Sequence, residues 1–218
     1  MNIPNSNDVL FPANNREDIG LYDAINDSFR LGPEHGDGGS QHPHSGGAAT
    51  DDGRIVLTPY NADGIDVYDP KTESLTREDV HGEGSGQQLF RGAAKADDGR
   101  IIFAPANAQN IGIFDPSTNT YSKGPQHNQG NNEFFSGATK IDDGRIIPAP
   151  RNSTDVGIFD PSTDTYTSGP THGESTGPGF TDAVSVDQNR VIFSPGTSLN
   201  VGIFDGDTDS YTSGPPHN

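Results

Sequence analysis

The chain has 218 residues, a net charge of −18 and no cysteine. The missing cysteine excludes disulfide bonds, thiolate metal sites and cysteine nucleophiles. An acidic surface of this kind repels a phosphate backbone, so nucleic acid is excluded as a partner, and without a run of about 18 apolar residues we expect no membrane insertion.

The charge comes from 31 acidic residues against 13 basic ones, and aspartate predominates. An Asp-rich, Lys-poor surface resembles those of proteins from halophilic archaea and their viruses, where salt screens the repulsion between like charges. The resemblance implies a saline habitat and favours an extracellular or virion-surface location over the cytoplasm. An ordinary solvated acidic surface is the alternative.

Five copies of one unit fill the chain. The first copy is divergent (NDVLFPANNREDIGLYD), and the second opens with DDGRIVLTPYNADGIDVYDP at Asp51. The third, DDGRIIFAPANAQNIGIFDPSTNTYSKGPQH from Asp97, returns with few changes from Asp142, and the fifth begins DQNRVIFSPGTSLNVGIFDG at Asp187. A low apolar content favours disorder, but apolar residues at the same offsets in every unit indicate a packed repeat fold.

The elements of one unit follow in a fixed order, illustrated by the fourth. Apolar and polar residues alternate with a period of two, which predicts strands. Strand A spans 137–141, and an Asp-Asp-Gly hairpin turn leads into strand B at 145–147. Strand C spans 156–159, and a turn at 160–164 with proline in its second position leads into strand D at 165–167.

Four short strands repeated every 45 to 46 residues match the size of a propeller blade. We therefore predict an all-β, five-bladed β-propeller of four-stranded antiparallel blades. It forms a single domain, 1–218, with blades at about 1–44, 45–90, 91–135, 136–180 and 181–218. The strand C residues predicted to be buried between blades are Tyr68, Ile111, Ile113, Phe114, Phe159 and Phe204.

The repeat register places Met1 to Pro4 in strand A of the first blade, next to the fifth. The ring then closes between whole blades, and no strand from one terminus completes a sheet begun at the other. We expect such a closure to be weaker than one in which a strand from one terminus completes a sheet begun at the other. The alternative is that the chain belongs to a larger array.

The order Gly-Arg-Ile-Ile, then Ile-Phe-Asp-Pro-x-Thr-x-x-Tyr, resembles the repeat of kelch-type propellers, with a strand, an aspartate-proline turn and a following aromatic residue. The resemblance spans the whole chain and implies the propeller fold. Because kelch-like propellers serve many functions, it does not select one.

One face of the predicted ring carries the loops that join strands B to C and D to A. The D to A loops are long, polar and rich in glycine, and such loops on a rigid scaffold are where binding usually occurs. We predict that the ligand contacts are the recurring amides and imidazoles of these loops: Asn15, Asn61, Asn107, Asn152, His35, His81, His127, His172 and His217.

Three further patterns have a functional and a structural interpretation. The five equivalent histidines suggest a metal site, but equivalent residues far from the axis are too far apart to share an ion, so we expect no metal and no cofactor. His42 and His44 form a His-x-His pair, which is weak evidence for a metal. The aspartates at 205, 207 and 209 suggest a calcium loop or an Asx-capped turn, and the recurring Arg54, Arg100, Arg145 and Arg190 are expected to pair with neighbouring aspartates.

No catalytic set is apparent, since every loop holds serine, histidine and aspartate and nothing singles out one blade. We therefore predict that the chain is not an enzyme but a recognition or assembly module, which binds a glycan or a protein surface through one face. The alternative is a structural or receptor-binding component of a virion or cell-surface assembly. A propeller enzyme is the least favoured possibility.

Overall fold

A computed structural model describes residues 1–4, 6–13, 16–36, 42–83, 88–129, 133–174, 177–187 and 189–217. This part of the chain forms five antiparallel sheets, which we name blades 1 to 5 in chain order. Each blade is a meander in which consecutive strands are neighbours, as the alternating pattern and the turn residues predict. No helix in the described residues is long and apolar enough to cross a membrane.

The strands are numbered along the chain. Blade 1 comprises β1 (Asp8–Phe11), β2 (Asp18–Asp23) and β3 (Ser28–Glu34). Blade 2 comprises β4 (His44–Ala49), β5 (Ile55–Pro59), β6 (Gly64–Asp69) and β7 (Ser74–Val80). Blade 3 comprises β8 (Phe90–Lys95), β9 (Ile101–Pro105), β10 (Asn110–Asp115) and β11 (Thr120–Gln126). Blade 4 comprises β12 (Phe135–Lys140), β13 (Ile146–Pro150), β14 (Asp155–Asp160) and β15 (Thr165–Thr171), and blade 5 comprises β16 (Phe180–Ser185), β17 (Arg190–Pro195), β18 (Asn200–Asp205) and β19 (Ser210–Pro216).

The prediction of five four-stranded blades is wrong for blade 1, which has three strands. Met1 to Pro4 contribute an isolated bridge between Asn2 and Val9 instead of a strand. Asn2 pairs with Val9 at the place where Ser185 pairs with Val191 in blade 5, and this single bridge does not extend into a ladder along β1.

The core lies between neighbouring blades. All six strand C residues predicted to be buried are at most 5% exposed, which confirms that prediction. Four apolar clusters join blade 1 to 2, 2 to 3, 3 to 4 and 4 to 5. Among the described residues no such cluster joins blade 5 to blade 1, so the prediction of a ring closed by blade packing is wrong.

The short turns on one face also link the blades. Arg145 donates from Nε to Asp143, and from its terminal nitrogens to the Gly206 carbonyl and the Asp209 carboxylate of the next blade. Arg54 and Arg100 make equivalent bonds, which confirms the predicted pairing with aspartate. Asp205 accepts hydrogen bonds from two backbone N–H groups of its own turn, as expected of an Asx-capped turn.

Candidate functional site

The inner strands β4, β8, β12 and β16, together with Met1, line a cavity of about 360 Å³, which we call the axial channel. Three of these strands have a glycine at one equivalent position, Gly46, Gly92 and Gly137, each with a positive φ. A Cβ on Gly92 would lie 2.5 Å from the Cα of Gly137, so only glycine permits this approach. The inner strands can therefore pack closely around the axis.

Two charged residues interrupt this regular wall. Asp182 occupies the glycine position in blade 5, and its carboxylate lies so close to Gly137 that a Cβ there would overlap it. Arg91 of blade 3 stands where the neighbouring inner strands have serine or threonine. Both residues line the channel, so the chemistry along the axis differs between blades.

A second cavity of about 400 Å³ lies at the loop-bearing end of the channel, and we call it the mouth pocket. It shares Ser45 and Arg91 with the channel wall, so the two cavities adjoin. Its lining residues come from blade 2 and the start of blade 3: His42, His44, Ser45, Tyr60, Asn61, Gln88 and Arg91.

His44 and Asp66 set blade 2 apart from the other blades. The first residue of the inner strand is phenylalanine in blades 3, 4 and 5, and its ring covers a glycine of the third strand. In blade 2 this pair is replaced by His44 and Asp66, whose side chains are 0% and 1% exposed. His44 Nε2 lies 2.9 Å from Asp66 Oδ2, so the two side chains form a buried hydrogen-bonded pair.

The surroundings of Asp66 favour the ionised form of its carboxyl group. Burial by itself would raise the pKa of Asp66, but hydrogen bonds from His44 and Arg77 and the charges of these residues hold it below its usual value. Arg77 donates from Nε to Asp66 Oδ1 over 2.9 Å. An ionised carboxylate only accepts hydrogen bonds, so His44 donates from Nε2.

In the neutral ring of His44 the lone pair is then on the other nitrogen, Nδ1. Nδ1 is buried, and it has no hydrogen-bond partner among the described residues. His44 is also one of the residues that line the mouth pocket, so this ring borders the space that a ligand would occupy. A carboxylate, an imidazole with a fixed tautomer and an adjoining cavity are the parts of a general base.

A polar cluster borders the pocket on the side of blades 3 and 4. Glu133 Oε1 accepts a hydrogen bond from the Tyr60 hydroxyl over 3.1 Å, and Glu133 Oε2 lies 3.0 Å from Arg151 Nε and 3.8 Å from an Arg91 nitrogen. The Arg91 guanidinium also lies 5.6 Å from the centre of the Tyr60 ring. Burial and the charge of Glu133 raise the pKa of Tyr60, so its hydroxyl stays protonated as the donor. Two arginines against one glutamate leave this border positive.

The five predicted histidines are spread over the five blades and are not brought together. Each Nε2 lies 2.6 to 2.9 Å from a backbone carbonyl 19 residues earlier in the chain. In His81, His127 and His172 the Nδ1 atom also accepts a backbone N–H two residues later. Burial lowers the pKa of His127. These rings brace the loops, and a role in ligand contact stays a prediction.

The predicted asparagines lie at the same end of the molecule, and two of them position Glu133. Asn107 Oδ1 accepts from the Glu133 N–H over 2.8 Å, and Asn152 Nδ2 donates to the Glu133 carbonyl over 3.3 Å. Asn61 lines the mouth pocket and accepts from the Gln88 N–H. Asn15 lies outside the described residues. Within the described ranges, no group of three His, Asp or Glu side chains could hold a metal ion.

Sequence reasoning missed Arg91, Asp182 and the pairing of His44 with Asp66. A signal was present, because each residue breaks a column of the repeat. Asp182 interrupts the glycines of the inner strand, and Asp66 replaces the glycine of the third strand. In the sequence alone, single departures of this kind cannot be told from neutral substitutions. The fold shows that Arg91 and Asp182 line one cavity and that His44 and Asp66 are in contact across β5.

The fold and the site define a class: a β-propeller arrangement with an axial channel and one chemically distinct blade at its mouth. No protein-family model matches the chain, and no curated protein matches it. Solved structures of similar fold are virginiamycin B lyases from Staphylococcus aureus and a streptogramin B lyase. A catalytically inactive histidine-to-alanine variant, solved with quinupristin, is 14% identical with a TM-score of 0.82, over 98% of this chain and 68% of that chain. The selenomethionine form is 14% identical with a TM-score of 0.79, over 97% of this chain and 67% of that chain. The streptogramin B lyase is 15% identical with a TM-score of 0.78, over 100% of this chain and 68% of that chain.

These comparisons show the β-propeller fold, and they do not show a kelch-type repeat in particular. They also overturn the prediction of a non-catalytic recognition or assembly module, because the neighbours are enzymes. That prediction depended on finding no blade that differs chemically from the rest. His44 and Asp66 make blade 2 such a blade.

Proposed function

We propose that the chain is an enzyme of the lyase type that abstracts a proton in the mouth pocket, with His44 as general base and Asp66 as the residue that orients it. The observation that carries this proposal is the buried His44–Asp66 pair: His44 lines the pocket, and its Nδ1 has no hydrogen-bond partner among the described residues. In the loop histidines His81, His127 and His172, by contrast, both ring nitrogens are hydrogen-bonded.

The proposed reaction is an elimination. His44 Nδ1 takes a proton from a carbon next to a carbonyl group, and the C–H electron pair becomes a new C=C bond as the bond from the next carbon to a leaving oxygen or nitrogen breaks. The leaving group keeps that bonding pair and receives the proton from His44. Asp66 stabilises the imidazolium between the two transfers.

Arg91 has the complementary role in this proposal. Negative charge develops on the carbonyl oxygen as the proton leaves, and a guanidinium at the pocket wall stabilises it. Arg91 is 35% exposed, and its nearest carboxylate, that of Glu133, is already bound more closely by Arg151. The guanidinium is therefore available to an anionic oxygen of the ligand.

The neighbours support the class of reaction, since they are lyases and one is inactive after loss of a histidine. At 14% identity the likeness concerns the fold, so the assignment of His44 depends on the geometry of this chain.

The test measures consumption of quinupristin by liquid chromatography with mass detection. We expect the wild-type chain to convert it, and His44→Gln to lower kcat/KM by about 10²- to 10⁴-fold, the usual contribution of a general base. Asp66→Asn should lower kcat more than it changes KM, because it disturbs the base and not the binding surface. Thr212→Ala is the control, since Thr212 is exposed on β19 and lies outside the pocket, and it should keep wild-type rates. An inactive wild-type chain, or an unimpaired His44→Gln variant, would contradict the proposal.

A further inference from the structure

Two blade faces have no neighbour among the described residues. The outer face of blade 5 carries the residues that, in blades 1 to 4, pack against the following blade, and it leaves Val184 57% exposed. The outer face of blade 1 carries the residues that otherwise pack against the preceding blade. Phe11 there is 48% exposed, whereas its counterparts Phe103 and Phe193 are both 0% exposed.

The aromatic residue of the fourth strand shows the same contrast. Phe29 of blade 1 is 61% exposed. Tyr121 and Tyr211 stand at the same register opposite the third strand and are half-buried against the preceding blade. The exposed apolar residues of blades 1 and 5 are thus the two halves of a contact that is formed four times elsewhere in the chain.

A polar contact is missing at the same place. The side chains of Arg54, Arg100 and Arg145 are 19 to 21% exposed, because each reaches a carbonyl and a polar side chain in the turn of the next blade. The equivalent Arg190 in blade 5 is 45% exposed and pairs only with Asp187, at 3.3 Å, among the described residues. In blade 1 the equivalent acceptors are the Ala24 carbonyl and the Asp27 carboxylate, and the described residues place no arginine on them.

The curvature indicates how much is missing between these faces. Nearly the whole chain, 98%, superposes with a TM-score of 0.82 on a solved structure of which it covers 68%. The five blades therefore follow the arc of a propeller about 100 residues longer than this chain. That length corresponds to two units of the repeat that separates Asp97 from Asp142.

We propose that the outer faces of blades 5 and 1 are a docking surface for a partner that presents two further blades of this repeat type. Its first blade covers Val184 and offers a turn carbonyl and carboxylate to Arg190. Its last blade covers Phe11 and Phe29 and supplies an arginine to the Ala24 carbonyl and Asp27. A second copy of this chain is a poorer occupant, because its five blades exceed the two-blade gap.

The experiment extends the chain after Asn218 with one, two or three repeat units. Residues 129–172 serve as one unit and residues 129–217 as two, because the His-Asn at 217–218 matches the His-Asn at 127–128. We expect the thermal midpoint to rise most with two units, by about 5 °C or more. Arg190→Ala and Phe11→Ser should leave the midpoint of the unextended chain nearly unchanged and should lower that of the two-unit chain. Asp69→Ala, in a turn inside the arc, is the control and should act equally on both.

Two outcomes would overturn the proposal. One is a midpoint that is the same with no added unit and with two, or that reaches its maximum with one. The other is a concentration-dependent dimer of the unextended chain, measured by sedimentation, that Arg190→Ala and Phe11→Ser abolish. That result would make a second copy the occupant of these faces.

Discussion

Replacing His44 by phenylalanine and Asp66 by glycine would give blade 2 the pair that blades 3, 4 and 5 contain. The two changes must be made together. In blade 3 a Cβ on Gly112 would lie 2.8 Å from the Phe90 ring, so a phenylalanine at position 44 has room only when position 66 is glycine. The single and double variants therefore form a double-mutant cycle.

The expected magnitudes follow from the burial of the pair. His44→Phe alone leaves Asp66 with only Arg77 as a charged partner and crowds the new ring, and breaking a buried pair in this way costs about 3 to 5 kcal/mol. The double variant replaces the pair by apolar packing, which stabilises by about 1 to 4 kcal/mol, while a glycine within a strand costs about 0.5 to 1 kcal/mol. We expect a net gain of about 0 to 3.5 kcal/mol.

Differential scanning calorimetry at neutral pH measures this gain, which at this chain length corresponds to about 2 to 4 °C in the midpoint per kcal/mol. The same double variant should lose the proposed lyase activity, because it lacks both the proposed base and the residue that orients it. A gain in stability with a loss of activity is the trade-off expected at a functional site. A double variant less stable than the wild type by more than about 1 kcal/mol would refute the reasoning, since the pair would then be a structural element of the blade.

The remaining predictions concern the core, the pH dependence and the charge. Phe159→Ala should destabilise the fold by about 3 to 5 kcal/mol in urea unfolding, because Phe159 is 1% exposed in the contact between blades 3 and 4. The lowered pKa of Asp66 contributes stability above about pH 4 that is lost as the pH falls through the native pKa, so Asp66→Asn should flatten the acid limb of the stability curve and should lower stability at neutral pH. With a net charge of −18, the midpoint should rise between about 0.1 M and about 2 M KCl, and a flat profile would contradict the interpretation of the acidity as salt adaptation.

The strands were predictable because the local signals agree. Strand C of the fourth unit was predicted at 156–159 and is β14, Asp155–Asp160, and the Asp-Asp-Gly turn before Arg145 joins β12 to β13. Closure was not predictable, because the angle between blades depends on how the side chains of two sheets interdigitate. The repeat pattern specifies which residues face a neighbouring blade, and it does not specify how many blades complete a turn.

The site was less predictable than the fold. The recurring asparagines and histidines attracted attention because they repeat, yet the structure uses His81 and Asn107 to brace loops. The chemically distinct residues are those that do not repeat. His44 and Asp66 lie on strands separated by β5, so no spacing rule for neighbouring residues connects them.

The protonation of His44 tests the central claim most directly. Nitrogen NMR of the labelled imidazole rings, assigned by comparison with His44→Gln, distinguishes a protonated from an unprotonated ring nitrogen. We predict that the neutral ring of His44 carries its proton on Nε2, toward Asp66, and that Asp66→Asn disturbs this tautomer. A neutral ring protonated on Nδ1, or one unaffected by Asp66→Asn, would contradict the assignment of His44 as a base oriented by Asp66.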